Sequence, residues 1–192
     1  MVDSMLSALP KKVFDRFSKH FLSPSGLFEG LDVSEGQSIL EIGQPIGFFT
    51  PAALGKVGDG GNVYVAGPDN ESLEKLGHLA HHKNLHTILL SDVLTGKSIP
   101  NHSLDLVILT NLLSNSVHPA DFCLSLWQYL KPDSQVVLID WDTADSHVGP
   151  RPTHRVSREE AIKLFGQCGL DFSRVLKTPG YHYGVAFRAT GQ

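Results

Sequence analysis

Short apolar runs alternate with helical patterns along most of the chain. Runs typical of buried strands lie at Ser38–Ile42, Asn62–Ala66, Leu85–Leu90, Leu104–Thr110 and Gln135–Asp140. A continuous apolar run indicates a strand that is buried on both faces, as in a parallel sheet with helices on each side. Strands that alternate with helical segments are typical of that arrangement. The pattern therefore predicts an α/β fold built on a parallel sheet.

Local signals place helices between these strands. A helix is expected from about Phe48, and another from about Asn70 to His82 with Asp69 as its N-cap. A third helix is expected near Pro119, because proline is well tolerated in a first turn. Ser157, three residues before a glutamate, has the spacing of a capping box at the start of the last helix.

The two ends of the chain differ from this repeating middle. The last two strands are predicted at Phe172–Lys177 and Tyr183–Arg188, and the connection between them is short. A connection of this length joins only antiparallel strands, so the chain should end in a hairpin. Residues 1–35 carry a helical pattern of their own. We expect a helical N-terminal extension over 1–35 and one main domain over 36–192.

Size and charge narrow the classes of function. With 192 residues and a formal charge of -4, the chain has room for one ordinary domain and shows no general affinity for nucleic acid or anionic lipid. No apolar run approaches the roughly 18 residues that span a bilayer, so no membrane association is expected. Cys123 and Cys168 fall in apolar helical patterns and should be buried free thiols. These features predict a cytoplasmic protein.

The histidines do not form a recognisable metal motif. His78 and His82 are four residues apart, a spacing that can place two imidazoles on one metal. Neither an HExxH pattern nor a nearby pair of acids accompanies them. A polar helix face is the better interpretation, and no metal is expected.

Several segments match motifs of a known family. Ser38–Gly43 followed by Gly47–Thr50 is similar to the first motif of the class I S-adenosylmethionine (SAM)-dependent methyltransferases. Ser103–Ile108 resembles their fourth strand, and Leu130–Ser134 resembles the Leu-Lys-Pro-Gly-Gly turn before their fifth. Tyr181–Gly184 reads Tyr-His-Tyr-Gly, as in small bacterial-type members. The resemblance implies a doubly wound three-layer sandwich, with a mostly parallel seven-stranded sheet in the order 3-2-1-4-5-7-6.

The same resemblance implies SAM as the methyl donor, bound beyond the carboxyl ends of the strands. In the family, a glycine-rich turn after the first strand lies against the methionine part. An acid after the second strand binds the ribose hydroxyls, and an acid after the third holds the adenine amino group. Carried over to this chain, the candidate cofactor residues are Glu41, Gly43, Gln44, Pro45 and Gly47 in the first anchor, Gly67 and Asp69 in the second, Asp92 and Val93 in the third, and Asn111 beyond the fourth strand.

Two positions depart from the family pattern. Pro45 stands where Glu-x-Gly-x-Gly-x-Gly has its middle glycine, and proline has a fixed φ and no N–H. Gly67 stands where the ribose acid is expected. Asp69, two residues on, replaces that acid only if the loop bends, and its competing interpretation is a helix cap. Each charge-assisted bond that is lost costs about 1.5–3 kcal/mol, so weak or absent cofactor binding is expected.

The hairpin should lie at the same edge of the sheet as the cofactor anchors. Residues there and in neighbouring loops are candidates for the acceptor pocket; they are Asn111, Trp141, Asp142, Tyr181, His182 and Tyr183. His182, Tyr181 and Asp142 are weak candidates for catalysis, with His182 as the base. Methyl transfer needs a base only if the acceptor must lose a proton. Both tyrosines are equally consistent with ordinary strand aromatics.

Three functions remain open on sequence grounds. The first is SAM-dependent methyl transfer to an unidentified small acceptor. The second is a non-catalytic relative, a binding or scaffold protein with an impaired cofactor site and an unknown protein partner. The third, a nicotinamide-dependent oxidoreductase, is disfavoured because Gly43 and Gly47 lack the Gly-x-Gly-x-x-Gly spacing and Gly67 is no acid.

Overall fold

A computed structural model describes residues 24–115, 119–144, 148–178 and 180–190. Most of the predicted N-terminal extension lies outside these ranges, so the boundary between 1–35 and 36–192 stays a prediction. The first described element is a short helix, α1 (Pro24–Glu29). Within the described ranges, no helix has both the length and the apolar character needed to cross a membrane.

Seven strands form one sheet in the order β3-β2-β1-β4-β5-β7-β6. Their bounds are β1 Ser38–Gly43, β2 Asn62–Gly67, β3 Leu85–Leu89, β4 Leu104–Thr110, β5 Leu130–Trp141, β6 Asp171–Leu176 and β7 His182–Arg188. Strands β1 to β5 pair in parallel, and β7 pairs antiparallel with both β5 and β6. The predicted α/β fold, its strand order and its terminal hairpin are therefore confirmed. The order reverses between β1 and β4, where sheets of this kind open a cleft.

Helices cover both faces of the sheet and complete three layers. After α1 they are α2 Thr50–Val57, α3 Asn70–Glu74, α4 Leu90–Leu94, α5 Pro119–Leu126 and α6 Arg158–Gln167. Phe28 and Val57 belong to the core between α1, α2 and one face of the sheet. Phe122 and Phe165 belong to the core on the opposite face, beneath α5 and α6. The predicted capping box is present at Ser157, and both cysteines are buried and free, as expected.

The helix after β2 is shorter than the sequence pattern predicted. It was expected over Asn70–His82, but α3 ends at Glu74 and a 3₁₀ turn follows at Gly77–Leu79. Glycine inside a helix is about 1 kcal/mol less favourable than alanine, which favours an early end near Gly77. The short helix borders an open groove of about 700 Å³ beside β3.

Two strand boundaries also differ from the prediction. The third strand was expected to reach Leu90, but Leu90 begins α4, so Asp92 lies in a helix and not in a loop. The fifth strand begins at Leu130, before the predicted Gln135. Its pairing with β4 is irregular, because Leu104 pairs with Leu130 and the next pair is Leu106 with Gln135. The turn resembling Leu-Lys-Pro-Gly-Gly is therefore an irregularity within β5, with Asp133 at a φ of 61° where the family has glycine.

Two phenylalanines that contact Phe187 should differ sharply in their contribution to stability. The fully buried Phe165 ring stacks on Phe187 at 4.9 Å, whereas Phe172 is 46% exposed and meets the same ring edge-on at 6.5 Å. We expect Phe165→Ala to lower the free energy of unfolding by about 3–5 kcal/mol and Phe172→Ala by less than about 1 kcal/mol. Urea denaturation of both variants measures this, and equal losses would contradict the packing described.

Candidate functional site

The predicted site residues lie along one edge of the sheet, which is formed by the carboxyl ends of β1 to β5 and the start of β7. The loop after β1 contributes the predicted donor turn, and the loops after β2 and β3 contribute the other two predicted anchors. The ends of β4, β5 and β7 supply the predicted acceptor residues.

Glu41 organises the turn that follows β1. Its side chain is only 2% exposed. Oε1 accepts a hydrogen bond from the amide of Phe49 at 3.0 Å, and Oε2 accepts one from the Thr50 hydroxyl at 2.6 Å. Burial raises the pKa of Glu41, while these hydrogen bonds act in the opposite direction. Because both donors lie at the start of α2, the carboxylate holds the turn and interacts favourably with the helix N-terminus.

Two glycines let this turn run close to its neighbours. Gly43 has a φ of 138°, and a Cβ there would lie 1.9 Å from the carbonyl oxygen of Thr110. Gly47 has a φ of 70°, and a Cβ there would lie 2.3 Å from Cδ2 of Leu76. At Gly43 the contact is with backbone atoms, so no side chain fits there. At Gly47 the contact is with the end of a leucine side chain, and the positive φ is the stronger reason for glycine.

Gln44 and Pro45 form the exposed tip of the turn. The Gln44 amide donates to the Thr110 carbonyl at 3.0 Å, and the Gln44 carbonyl accepts from the side-chain amide of Asn111 at 2.8 Å. The peptide bond between Gln44 and Pro45 is cis. Pro45 has no N–H, so the turn offers the cleft one amide donor fewer than a glycine would supply.

The predicted ribose anchor is replaced by aliphatic packing. Gly67 is buried at the end of β2, and a Cβ there would lie 2.8 Å from Cδ2 of Leu73 and 3.3 Å from Cδ1 of Ile46. Asp69 accepts a hydrogen bond from the Ser72 amide at 2.7 Å, and this bond is the largest cause that lowers its pKa. Asp69 is therefore the cap of α3, as the competing interpretation held. The residues present do not fit the ribose part of SAM.

An acid is present at the third predicted cofactor position, after β3. Asp92 is half-buried in α4 and borders the groove beside β3 together with Leu73. Val93 is fully buried in the core, and its carbonyl accepts a hydrogen bond from the Tyr129 hydroxyl at 2.5 Å. Asp92 therefore stands at the predicted adenine position and its role there stays a prediction, whereas the Val93 side chain lies in the core.

A hydrogen bond and a ring contact join three of the predicted acceptor residues. Asn111 Oδ1 lies 3.0 Å from Nε2 of His182, and the His182 ring lies 4.2 Å from the Trp141 ring. Burial, and secondarily the charge of Arg155, lowers the pKa of His182 to about 4. The ring is therefore neutral at neutral pH and a poor proton acceptor there. Its role as a base stays a prediction that this environment does not favour.

The other acceptor candidates have mainly backbone roles or core positions. The Asp142 amide donates to the Tyr181 carbonyl at 2.8 Å and joins the end of β5 to the hairpin. The Asp142 carboxylate accepts from the Ala144 amide at 2.9 Å. Tyr183 lies in the core beneath α5 and α6, where burial raises its pKa. Tyr181 remains half-buried next to His182.

Sequence reasoning missed a buried acid at the end of β5. Asp140 is fully buried, and its two oxygens accept from the amides of Trp141 and Leu113, both at 2.8 Å. Burial raises the pKa of Asp140. The signal was present, because Asp140 ends an apolar run where an acid has no solvent. It fixes the segment that follows Asn111.

Arg155 was missed as well, although it builds the loop after β5. The side chain is buried, and its guanidinium lies 5.7 Å from the Trp141 ring centre. It donates hydrogen bonds to backbone carbonyls of Asp142, Ala144, Val148 and Pro150. Through these bonds one side chain joins residues 142–144 to residues 148–150. Nothing in the local sequence distinguishes this arginine from an exposed one.

The described residues contain no cluster of three or more His, Cys, Asp or Glu side chains with the geometry of a metal site. The structure places the predicted donor residues around the turn that Glu41 holds, and it brings the predicted acceptor residues Asn111 and His182 into contact. Asp69, the acid predicted as a possible ribose anchor, caps α3 instead.

Comparison with known proteins supports the fold. No family model and no curated protein matches the sequence. A SAM-dependent methyltransferase from Aquifex aeolicus superposes with a TM-score of 0.79 at 23% identity, covering 89% of this chain and 91% of that one. A SAM-dependent methyltransferase from Mesorhizobium loti gives a TM-score of 0.67 at 15% identity, covering 84% and 95%. The structure of PigF with SAH gives 0.65 at 16%, covering 86% and 54%. At these identities the likeness shows the fold.

The close approach at Gly43 predicts a position-specific cost of adding a methyl group. Gly43→Ala places Cβ against the Thr110 carbonyl, whereas Gly36, with a φ of 85°, has no atom within 4 Å of its added Cβ. We expect Gly36→Ala to cost about 1–2 kcal/mol from backbone strain alone, and Gly43→Ala about 2–4 kcal/mol. Urea denaturation of both variants gives the difference, and equal costs would contradict the steric account.

Proposed function

We propose that this chain, which has the class I methyltransferase fold, transfers a methyl group from SAM to a small acceptor and binds its donor weakly. When bound, SAM supplies a methyl group activated by its sulfonium. The observation that carries the proposal is the turn after β1, which Glu41 and Gly43 hold in a close-packed shape even though Pro45 interrupts it.

Different parts of the donor would meet different residues. The backbone of the turn between Gly43 and Gly47 would lie against the methionine part, and the Asp92 carboxylate would accept from the adenine amino group. No acid stands at the ribose position, where Leu73 and Ile46 approach Gly67. Binding would therefore depend on the two ends of the donor and gain little from its sugar.

The acceptor would have to be a nucleophile that needs no general base. His182 is neutral at pH 7 and has a pKa of about 4, too low for efficient proton abstraction. Alignment of the acceptor with the methyl group would then carry most of the catalysis. Aromatic amines, ring nitrogens and thiolates, which carry a lone pair at neutral pH, meet this condition, whereas a protonated alkylamine does not.

A second candidate function is a non-catalytic methyltransferase-like binding protein. The aliphatic packing against Gly67 and the missing N–H of Pro45 favour it, because both lower the affinity for a cofactor. The two candidates differ in whether the donor binds at all, so a binding measurement separates them.

Calorimetry with SAM and S-adenosylhomocysteine (SAH) tests the proposal. Loss of the ribose bonds should leave a dissociation constant of about 0.1–1 mM. Asp92→Ala should weaken binding by about tenfold more, because it removes the adenine acceptor. Asp59→Ala, which alters an exposed acid in the turn before β2, is the matched control and should change nothing. No heat at several millimolar ligand would refute the enzyme and leave the non-catalytic candidate.

Restoring the ribose acid should strengthen binding only if the aliphatic packing is also opened. We expect Gly67→Asp with Leu73→Ala to bind SAH about tenfold more tightly than Leu73→Ala alone. Gly67→Asn with Leu73→Ala is the uncharged control and should gain less. Calorimetry on the three variants measures this, and an unchanged affinity would mean that the sugar position is closed for another reason.

A further inference from the structure

Asn111 occupies an unusual backbone position between the two halves of the cleft. It follows β4 with a φ of 51°, in the left-handed region that asparagine enters more readily than most residues. Its amide donates to the Ile139 carbonyl at 2.9 Å, which ties it to β5. The backbone thereby directs the side chain between the turn after β1 and the start of β7.

The hydrogen bonds of the side chain fix its orientation. Its Nδ2 donates to the Gln44 carbonyl at 2.8 Å, and a carbonyl oxygen only accepts. The amino side of the amide therefore faces Gln44, and Oδ1 faces Nε2 of His182 at 3.0 Å. Because Oδ1 also only accepts, Nε2 must carry a proton. Asn111 thus selects the Nε2–H form of His182.

The surroundings of His182 keep that form neutral and the ring in place. Its side chain is buried, its carbonyl accepts from the Thr178 hydroxyl at 2.6 Å, and its ring is tilted by 35° against Trp141. Burial, and after it the positive charge of Arg155, lowers the pKa of His182 to about 4. A Cβ added to Gly149 would lie 2.7 Å from the Trp141 ring, so the backbone at Gly149 packs directly on this indole.

We propose that Asn111 is a positioning residue that links the donor turn at Gln44 to the acceptor wall formed by His182 and Trp141. The hydrogen bonds to Gln44 and His182 set the separation of these two parts and hold His182 in the Nε2–H form. The terms donor and acceptor rest on the proposed function, whereas the link itself does not. In a methyl-transfer site, a misplacement of about 1 Å between the two parts costs about a hundredfold in rate.

Two substitutions separate the two hydrogen bonds. Asn111→Asp keeps an oxygen that accepts from His182 but loses the donation to Gln44. Asn111→Gly removes both bonds and still suits the left-handed backbone. Asn84→Gly is the matched control, since the Asn84 side chain donates to the Gly58 and Gly61 carbonyls in the turn before β2.

The direct test is ¹⁵N NMR of histidine-labelled protein, with His182 assigned from a His182→Gln variant. The wild type and Asn84→Gly should show Nε2–H at pH 7. Asn111→Asp should keep that form with a raised pKa, because a carboxylate favours the charged ring. Asn111→Gly should give a mixture of tautomers. An Nδ1–H form in the wild type, or an unchanged His182 signal in Asn111→Gly, would overturn the proposal.

SAH binding then tests the link to the donor turn. Asn111→Asp should raise the dissociation constant about fivefold through the lost bond to Gln44, and Asn84→Gly should leave it unchanged. Equal affinities of Asn111→Asp and the wild type would refute the link. If the wild type itself binds no SAH, the proposed function fails, while the tautomer measurement still decides the role of Asn111.

Discussion

The close approach of β1 and β4 governs the geometry of the cleft. At Gly43 the two strands come so near that even a methyl group would collide with the Thr110 carbonyl. The chain leaves this point in two directions, into the turn that Glu41 holds and into the segment that begins at Asn111. The turn after β1 and the segment that begins at Asn111 are positioned relative to this contact, because both start from it.

The turn after β1 and the segment after β4 differ in the side chains that surround them. On the donor side, aliphatic side chains crowd the ribose position, and Pro45 removes an amide from the turn. On the other side, Asp140 accepts hydrogen bonds from two amides and Arg155 donates to several carbonyls. The hydroxyls of Thr110 and Tyr183 are buried there without a hydrogen-bond partner among the described residues. A buried polar group without a partner costs free energy, so this network is only partly satisfied.

The sequence was informative wherever a local rule decides the structure. The strand order followed from motif resemblance and from the short final connection, and the cap at Asp69 followed from its position before a helix. Tertiary contacts were not accessible in this way. The burial of Arg155 depends on four carbonyls brought together by the fold, and the crowding at Gly67 depends on Leu73 and Ile46 from two other segments.

The proposed site binds the two ends of a sulfonium nucleoside and makes no hydrogen bond between an acid and its sugar. The most direct measurement compares the calorimetric affinity of SAH with that of its 2′,3′-dideoxy analogue. With no acid at Gly67, the two ligands should bind within about threefold of each other. A loss of about tenfold or more for the analogue would show hydroxyl bonds that this account says are absent, and would contradict it.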